Sequence, residues 1–234
     1  MKTLSLRDAW RGEADCRNCS VRTSVLFAGL DEADFDDIHR PIDELMLPSH
    51  STLYHSQAPG EAVFTIRNGL LKLVQYLPDG TQRIVRLLRG TDVTGLEALL
   101  GQPYQHDAVV LQTASICRIP VDVVRALDRD KPGLRQELMC RWQRALSEAD
   151  AWLTELSTGT ARQRVARLLL RLLDDRGQGL CELFSREDIG AMLGLTTETA
   201  SRVVAEFKRN GVLIDGGAGR FACDAAALNR LTAD

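Results

Sequence analysis

The chain has 234 residues, 44% of them hydrophobic and 26% charged, with a formal net charge of −3 that by itself argues against a nucleic-acid partner. The first residues, MKTLSLRDAWRGEAD, lack the apolar stretch of a secretory signal, and no run approaches the ~18 apolar residues of a membrane helix. We therefore expect a cytoplasmic protein without a membrane segment, whose six cysteines are reduced thiols or metal ligands.

The first 25 residues form a polar segment that carries Cys16 and Cys19 in the sequence DCRNCS. We expect residues 1–25 to be mobile unless something holds them. A short amphipathic segment, VLFAGLDEADFDDIHRPI, follows and is predicted to be helical.

A strand-rich domain is predicted within residues 26–130, because short apolar runs alternate with turn signals from about Asp43 to Pro120. The stretch GLLKLVQYLPDGTQRIVRLL predicts two strands joined by an Asp-Gly hairpin turn. Strands at this spacing indicate a small barrel or jelly roll. The turn signals are APGE at 58–61, RNG at 67–69, PDG at 78–80 and LRGTD at 88–92.

A long helix is predicted over residues 131–157, where apolar residues recur at alternating spacings of four and three. Such a helix packs either on its own domain or against the same helix of a second chain. The polar residues on both flanks of the apolar seam favour the second arrangement, a parallel coiled coil in a homodimer. The predicted dimer interface consists of Leu138, Trp142, Ala145, Ala149, Trp152 and Leu156.

Residues 160–234 are predicted to contain two short helices around a glycine, after an amphipathic helix that Thr160 caps. The first of the two begins at Ser185, and Gly194 ends it in the left-handed conformation that favours glycine. Thr196 is the expected N-cap of the second helix. This arrangement is a helix-turn-helix.

The second of these helices has two chemically different faces. Apolar residues from Ala200 to Phe207 follow the helical spacing of a buried face, whereas Glu198, Ser201 and Arg202 occupy the first turns of the opposite face. Arginine can donate two hydrogen bonds to guanine, glutamate can accept one from cytosine, and serine suits several base edges. We therefore predict a recognition helix that lies in the DNA major groove.

A hairpin with a glycine-rich tip, VLIDGGAGRFACD, follows Gly211 and predicts a wing whose Arg220 reaches a phosphate. Residues 160–234 carry 11 Lys and Arg against 10 Asp and Glu, whereas the rest carries 18 against 22. A local attraction to phosphate is therefore compatible with the acidic total. The predicted DNA-binding residues are Thr196, Thr197, Glu198, Ser201, Arg202 and Arg220.

This order of elements resembles the Crp/Fnr family of bacterial transcription regulators over nearly the whole chain. The resemblance implies an α+β fold with an N-terminal β-roll sensor domain like those that bind cyclic nucleotides, a dimerisation helix and a C-terminal winged helix-turn-helix. TTETASR resembles the Fnr branch, whose reading helix carries E-x-x-S-R; the Crp branch has arginine at Thr197 and glycine at Ser201. The resemblance further implies a TTGAT-type half-site and a contact with RNA polymerase.

Cyclic-nucleotide binding is not expected. By resemblance, Gly95 and Glu97 match the Gly-x-Glu region of the family's nucleotide binders. Those binders continue with an arginine that pairs with the cyclic phosphate. Here the corresponding stretch is Gln105-His106-Asp107, which offers no arginine and adds a carboxylate that repels the anion.

The resemblance to the Fnr branch points instead to the cysteines as sensors of oxygen, redox state or a related gas. Cys16, Cys19 and Cys117 correspond to ligands of an iron–sulfur cluster in that branch, and thiolates are the usual ligands of such clusters. A further ligand of the branch falls on Val25, which cannot bind iron, so Asp15 is the nearest substitute in sequence. Thiol redox sensing, haem or no cofactor are the alternatives.

The other cysteines, Cys140, Cys181 and Cys223, lie in apolar sequence and are interpreted as structural. The histidines His50, His55 and His106 can ligate haem in principle, although a surface or strand histidine is the commoner case. An enzyme is the remaining hypothesis, but the sequence contains no H-E-x-x-H or phosphate-binding loop motif that supports it.

Overall fold

The computed structural model describes residues 6–19, 26–28, 30–37, 41–173, 180–217 and 220–233. The chain folds as two compact units, one formed by Met1–Gln75 with Val85–Ser147 and the other by Tyr76–Ile84 with Glu148–Asp234. Within the described ranges, no helix is both long and apolar enough to cross a membrane. The domain boundaries given above stay predictions.

The N-terminal unit is built on one antiparallel sheet in the order β1-β2-β7-β4-β5, with β3 paired to β7 and β6 paired to β4. Apart from β1, the strands of this sheet lie between Asp43 and Pro120, as the alternation of apolar runs and turns predicts. The strands are β1 (Trp10–Glu13), β2 (Asp43–Leu47), β3 (Thr52–Tyr54), β4 (Ala62–Tyr76), β5 (Gln82–Leu88), β6 (Val93–Thr94) and β7 (Asp107–Pro120).

The hairpin predicted at the Pro-Asp-Gly turn joins β4 to β5. Leu77 N–H donates to the Thr81 carbonyl at 2.9 Å, and Gly80 has a φ of 81°, which an L-residue adopts only with strain. The turn residues therefore act as the sequence indicates.

The turn predicted at Arg67-Asn68-Gly69 is wrong, because β4 runs straight through it. The pairing of β4 with β7 shifts register on both sides of Asn68, which marks a β-bulge. Gly69 has a φ of 101°, and a Cβ there would lie 2.6 Å from Ala114 Cα. Glycine is needed at this position for a bulge and a close approach between strands rather than for a turn.

The N-terminal segment is held more firmly than the sequence predicts. After the short helix α1 (Leu6–Ala9), β1 pairs with β2, and Trp10 Nε1 donates to Asp43 Oδ1 at 3.0 Å. This pairing holds β1, so the condition attached to the expected mobility is met there, and for the other residues of the segment mobility stays a prediction. The amphipathic segment that follows is described as a turn at 26–28 and a 3-10 helix at Glu32–Asp37 instead of one continuous helix.

Two helices follow the sheet, α2 (Val121–Asp130) and α3 (Pro132–Ala151), and a π-helical turn at Trp152–Leu156 extends α3. The predicted long helix is thus confirmed, with a change of winding near its end.

Buried residues form one apolar cluster inside the sheet and a second between the sheet and the helices. The second cluster contains Leu127, Leu134 and Leu138.

From Thr160 onward, the described residues of the C-terminal unit form four helices and a three-stranded antiparallel sheet in which the last strand lies between the other two. Thr160 caps the first helix with a reciprocal capping box to Gln163, as predicted. Strand β8 and the last helix have no counterpart in the sequence-based prediction. The elements are α4 (Ala161–Leu172), β8 (Leu180–Glu182), α5 (Arg186–Leu193), α6 (Thr197–Arg209), β9 (Leu213–Asp215), β10 (Arg220–Cys223) and α7 (Ala225–Ala233). The α+β fold with a winged helix-turn-helix is therefore confirmed.

Candidate DNA-binding surface and cysteine site

The helix-turn-helix is formed by α5 and α6, and both helices begin at the predicted caps. The Ser185 hydroxyl accepts from Asp188 N–H at 3.0 Å, and the Thr196 hydroxyl accepts from Thr199 N–H at 3.2 Å. Each hydroxyl satisfies one of the N–H groups that a helix start leaves without a backbone partner. Local sequence therefore fixes where both helices begin.

The turn between the two helices depends on two glycines, of which the sequence predicted one. Gly194 ends α5 with a φ of 64°, as expected. Gly190 lies one turn earlier, and a Cβ at this residue would be 2.6 Å from the Leu195 carbonyl oxygen. The Leu195 N–H donates to the Gly190 carbonyl at 3.0 Å, so the turn packs directly against the helix backbone.

An arginine on α4 also fixes this turn and was missed from the sequence. Arg164 Nη1 donates to the Leu193 carbonyl at 2.7 Å, close to the end of α5. The last carbonyls of a helix have no partner inside the helix, and a cationic donor is favourable at that end. Arg164 therefore helps to hold α5 and the turn on α4.

The predicted reading residues share one exposed face of α6, while the opposite face is buried. Arg202 Nη2 donates to Thr199 Oγ1 at 3.3 Å, which orients the guanidinium along the helix. The pKa of Glu198 is lowered because its own backbone N–H and the Thr196 hydroxyl donate to the carboxylate. The exposed residues are Thr196, Thr197, Glu198, Ser201 and Arg202.

Positive charge flanks this face at the far end of α6 and in the wing. Lys208 and Arg209 are exposed in the last turn, and Lys208 Nζ lies 4.2 Å from the centre of the Phe221 ring. Arg220 begins β10 with its side chain exposed, and its N–H donates to the Gly217 carbonyl at 2.9 Å. The surface thus combines exposed hydrogen-bonding side chains with cations suited to phosphate.

The predicted dimer seam is only partly exposed. Leu138 is 8% exposed and packs in the N-terminal core, and Leu156 is fully buried in the C-terminal unit. Of the six predicted residues, only Trp142 has an exposed side chain. Its neighbours one turn away on α3, Met139 and Leu146, are 63% and 57% exposed. The exposed apolar surface of α3 therefore lies along Met139, Trp142 and Leu146, which keeps Trp142 of the predicted seam and has Met139 and Leu146 in place of Leu138 and Ala145.

The three N-terminal cysteines lie near one another and near a cation. Cys117 is in β7 and pairs with Glu44 of β2 and Thr65 of β4, two residues before Arg67. Arg67 Nη1 contacts Glu44 Oε1 at 2.6 Å. Cys16 lies at the edge of the second apolar cluster, as does Cys117.

Burial dominates the ionisation of these thiols. It raises the pKa of Cys16 to about 11, with smaller increases from Cys19 and Asp15. It raises the pKa of Cys117 to about 12, while Arg67 opposes the rise and the charges of Cys16 and Cys19 add to it. The mutual influence of the three thiols indicates that the fold brings them together.

These residues do not fit a metal centre in this arrangement. Among the described residues, no group of three or more His, Cys, Asp or Glu side chains is close enough to hold a metal ion. Asp15, the substitute ligand suggested by the sequence, instead accepts hydrogen bonds from Asn18 at 2.8 Å and 3.1 Å. Val25 lies outside the described residues.

The region that corresponds to a nucleotide phosphate site is occupied by internal hydrogen bonds. Glu97 Oε1 accepts from Gln105 N–H at 3.1 Å, and Asp107 Oδ1 accepts from Ser56 N–H at 2.6 Å. Burial lowers the pKa of the nearby His106. The absence of cyclic-nucleotide binding stays a prediction from the sequence.

The remaining cysteines divide into two kinds. Cys140 is exposed on α3, which does not fit its interpretation as a structural residue in apolar surroundings. Cys181 is buried and Cys223 half-buried, in adjacent strands of the wing sheet.

Comparison with known proteins agrees with this division of the chain. Residues 163–231 match the family described as "Crp-like helix-turn-helix domain", and residues 44–130 match "Cyclic nucleotide-binding domain". The "Transcriptional activator protein anr" of Pseudomonas aeruginosa is 30% identical over 212 residues, which cover 86% of this chain and 85% of that protein. The "Fumarate and nitrate reduction regulatory protein" of Vibrio cholerae is 26% identical and covers 85% of this chain and 82% of its own.

Solved structures give the same result. The structure of FixK2 from Bradyrhizobium japonicum has a TM-score of 0.73 at 27% identity and covers 82% of this chain and 98% of its own. A Crp-family regulator from Thermus thermophilus, TTHB099, has a TM-score of 0.70 at 26% identity and covers 81% and 96%. The Pseudomonas, Vibrio and Thermus proteins are named as an activator or as regulators. The chain belongs to the Crp/Fnr family of transcription regulators, whose helix-turn-helix binds DNA.

Proposed function

We propose that the protein is a homodimeric regulator that binds a palindromic DNA site with TTGAT-type half-sites in the cytoplasm. The observation that carries the proposal is that Glu198, Ser201 and Arg202 are exposed on the first turns of α6, on the face opposite its buried apolar residues. The first turns of a recognition helix are the part that reaches base edges in the major groove.

Each exposed residue has a specific role in this proposal. Arg202, oriented by Thr199, donates to a guanine, and the ionised Glu198 accepts from a cytosine. Ser201 adapts to a neighbouring base edge. Thr196 and Thr197 lie at the positive end of the α6 dipole beside a phosphate, and Arg220 of the wing contacts the backbone.

An Arg202→Ala substitution tests the base-reading role. We expect DNA affinity to fall by roughly 1–3 kcal/mol and discrimination at one guanine to be lost. Arg209→Ala, at the far end of the same helix, serves as control and should weaken cognate and unrelated DNA equally. Unchanged discrimination in the Arg202 variant, measured by fluorescence anisotropy, would remove this residue from the reading set.

The dimer is proposed to form through α3, along the exposed stripe Met139, Trp142 and Leu146. Exposed apolar side chains at spacings of three and four are typical of a helix that packs against a partner helix. Trp142→Glu combined with Leu146→Glu should give a monomer in sedimentation experiments. The control Ser147→Glu, an exposed position of α3 beside this stripe, should leave the dimer intact.

The input is proposed to be oxygen or redox state, read at Cys16, Cys19 and Cys117. The electrostatic influence of Cys16, Cys19 and Arg67 on Cys117 supports a shared thiol site, and the described residues hold no group of three or more His, Cys, Asp or Glu side chains placed to bind a metal ion. Protein purified without air should then be colourless and contain three modifiable thiols in this site. Visible absorption with bound iron and sulfide would favour the cluster instead.

The domain roles follow from this proposal. Residues 26–130 act as the sensor domain, residues 131–157 as the dimerisation helix and residues 160–234 as the DNA-binding domain, with residues 1–25 supplying the cysteine pair. RNA polymerase is the expected protein partner at the promoter, and cyclic nucleotide is not expected to bind.

A further inference from the structure

The wing sheet contains two thiols in closer contact than unbonded sulfur atoms normally make. Cys181 Sγ and Cys223 Sγ are 2.7 Å apart, although the residues are 42 positions apart in sequence. A disulfide has a sulfur–sulfur distance of about 2.05 Å, so bond formation requires an approach of roughly 0.7 Å. Neither residue belongs to the DNA-reading face or to the N-terminal thiols.

The strand pairing explains why the two sulfurs meet. Cys181 of β8 lies directly opposite Phe221 of β10, and Cys223 follows two residues later on the same side of β10. Side chains at such diagonal positions of an antiparallel pair can touch across one face. The contact therefore follows from the backbone register of the sheet.

The two thiols differ in exposure and in acidity. Cys181 is 3% exposed, whereas Cys223 is half-buried. The Cys181 thiol donates a hydrogen bond that lowers the pKa of Cys223, and the same hydrogen bond together with burial raises the pKa of Cys181. Cys223 is thus the accessible nucleophile and Cys181 the protected partner.

We propose that Cys181 and Cys223 form a redox-sensitive dithiol site in which a hydroperoxide generates a disulfide that ties β8 to β10. The Cys223 thiolate attacks one oxygen of hydrogen peroxide, the oxygen–oxygen bond breaks, and sulfenic acid and water result after proton uptake. The Cys181 sulfur then attacks the Cys223 sulfur, loses its proton and releases the second water. The two thiols lose two electrons, which reduce one peroxide to two waters. A thiol reductant reverses the reaction by exchange.

Peptide mapping of the full-length protein tests this proposal without any substitution. Trypsin is expected to release residues 177–186 and 221–230, each of which contains a single cysteine. After reduced protein is treated with hydrogen peroxide and remaining thiols are alkylated, mass spectrometry should find these two peptides joined. The joined species should disappear when reductant is added before digestion.

Variants separate this site from the other cysteines. Cys223→Ser and Cys181→Ala should each abolish the joined peptide, whereas Cys140→Ser, which changes an exposed thiol on α3, should leave it intact. Three results for the wild-type protein would overturn the proposal. The two peptides could be recovered separately with alkylated cysteines, they could carry sulfinic acid, or they could be joined to peptides with Cys16, Cys19, Cys117 or Cys140. The outcome does not depend on DNA binding, so it is distinguishable from failure of the proposed function.

Discussion

The helix-turn-helix and the N-terminal thiol site are both built from few residues, but their contacts differ in range. In the helix-turn-helix, each cap links residues three apart, such as Ser185 with Asp188, and the turn links Gly190 with Leu195. In the N-terminal unit, Cys16 follows β1, Arg67 lies in β4 and Cys117 lies in β7. The comparison shows that a surface encoded locally can be identified from sequence, whereas a site assembled by strand pairing needs the register.

The largest expected effect concerns a long-range contact of the N-terminal unit. Arg141 is 7% exposed, and its guanidinium donates to Glu137 Oε1 at 2.5 Å and to the Thr91 carbonyl at 2.8 Å. Arg141→Ala should lower the free energy of unfolding by roughly 3 kcal/mol, because the half-buried Glu137 carboxylate and the Thr91 carbonyl both lose a charged donor. Chemical denaturation measures this change.

The matched control for this substitution lies on the same helix. Arg135 pairs with Asp128 at 3.1 Å, but its side chain is 63% exposed. Because water screens such a pair, Arg135→Ala should cost below about 1 kcal/mol. Equal losses for the two arginines would mean that the contact with Thr91 does not stabilise the unit.

The next prediction concerns the turn between α5 and α6, where the direction of a stability change is informative. Alanine is normally about 1 kcal/mol more favourable than glycine inside a helix. In Gly190→Ala, however, the added Cβ meets the Leu195 carbonyl oxygen, so we expect a loss of roughly 1–3 kcal/mol instead. A variant that melts at a higher temperature than the wild type would show that the turn is not packed this closely.

The thiol site is tested by its chemical reactivity. Because burial raises the pKa of Cys16 to about 11 and of Cys117 to about 12, both are protonated near neutral pH. Alkylation by iodoacetamide should be at least about tenfold slower than at the exposed Cys140 and should accelerate as pH rises toward these pKa values. Equal rates at all three cysteines in mass spectrometry would contradict this burial.

The smallest expected effect concerns the N-cap of the recognition helix. Thr196→Ala removes the acceptor of Thr199 N–H and should cost about 1 kcal/mol of stability. Thr197→Ala, one residue further along the same exposed surface, removes no cap and should change stability by less than about 0.5 kcal/mol. Indistinguishable thermal melts for the two variants would show that the Thr196 cap does not stabilise the helix.

The sequence predicted what neighbouring residues decide, such as the caps Thr160, Ser185 and Thr196 and the left-handed Gly194. It failed where strand pairing decides, since the bulge at Gly69 carries the same residue types as a turn. The edge strand at Trp10 and the contact between Cys181 and Cys223 likewise depend on register. In the predicted seam on α3, Leu138 satisfies the heptad pattern but packs in its own core.

The central claim is that two identical recognition helices read the two halves of a palindrome. About one helical turn of DNA separates the half-sites in such a complex, so inserting about five base pairs between them rotates one half-site to the opposite face. We predict that titration by fluorescence anisotropy will show tight binding to the intact TTGAT-type palindrome and near-nonspecific affinity for the site with the insertion. Equal affinity for both sites would contradict the account.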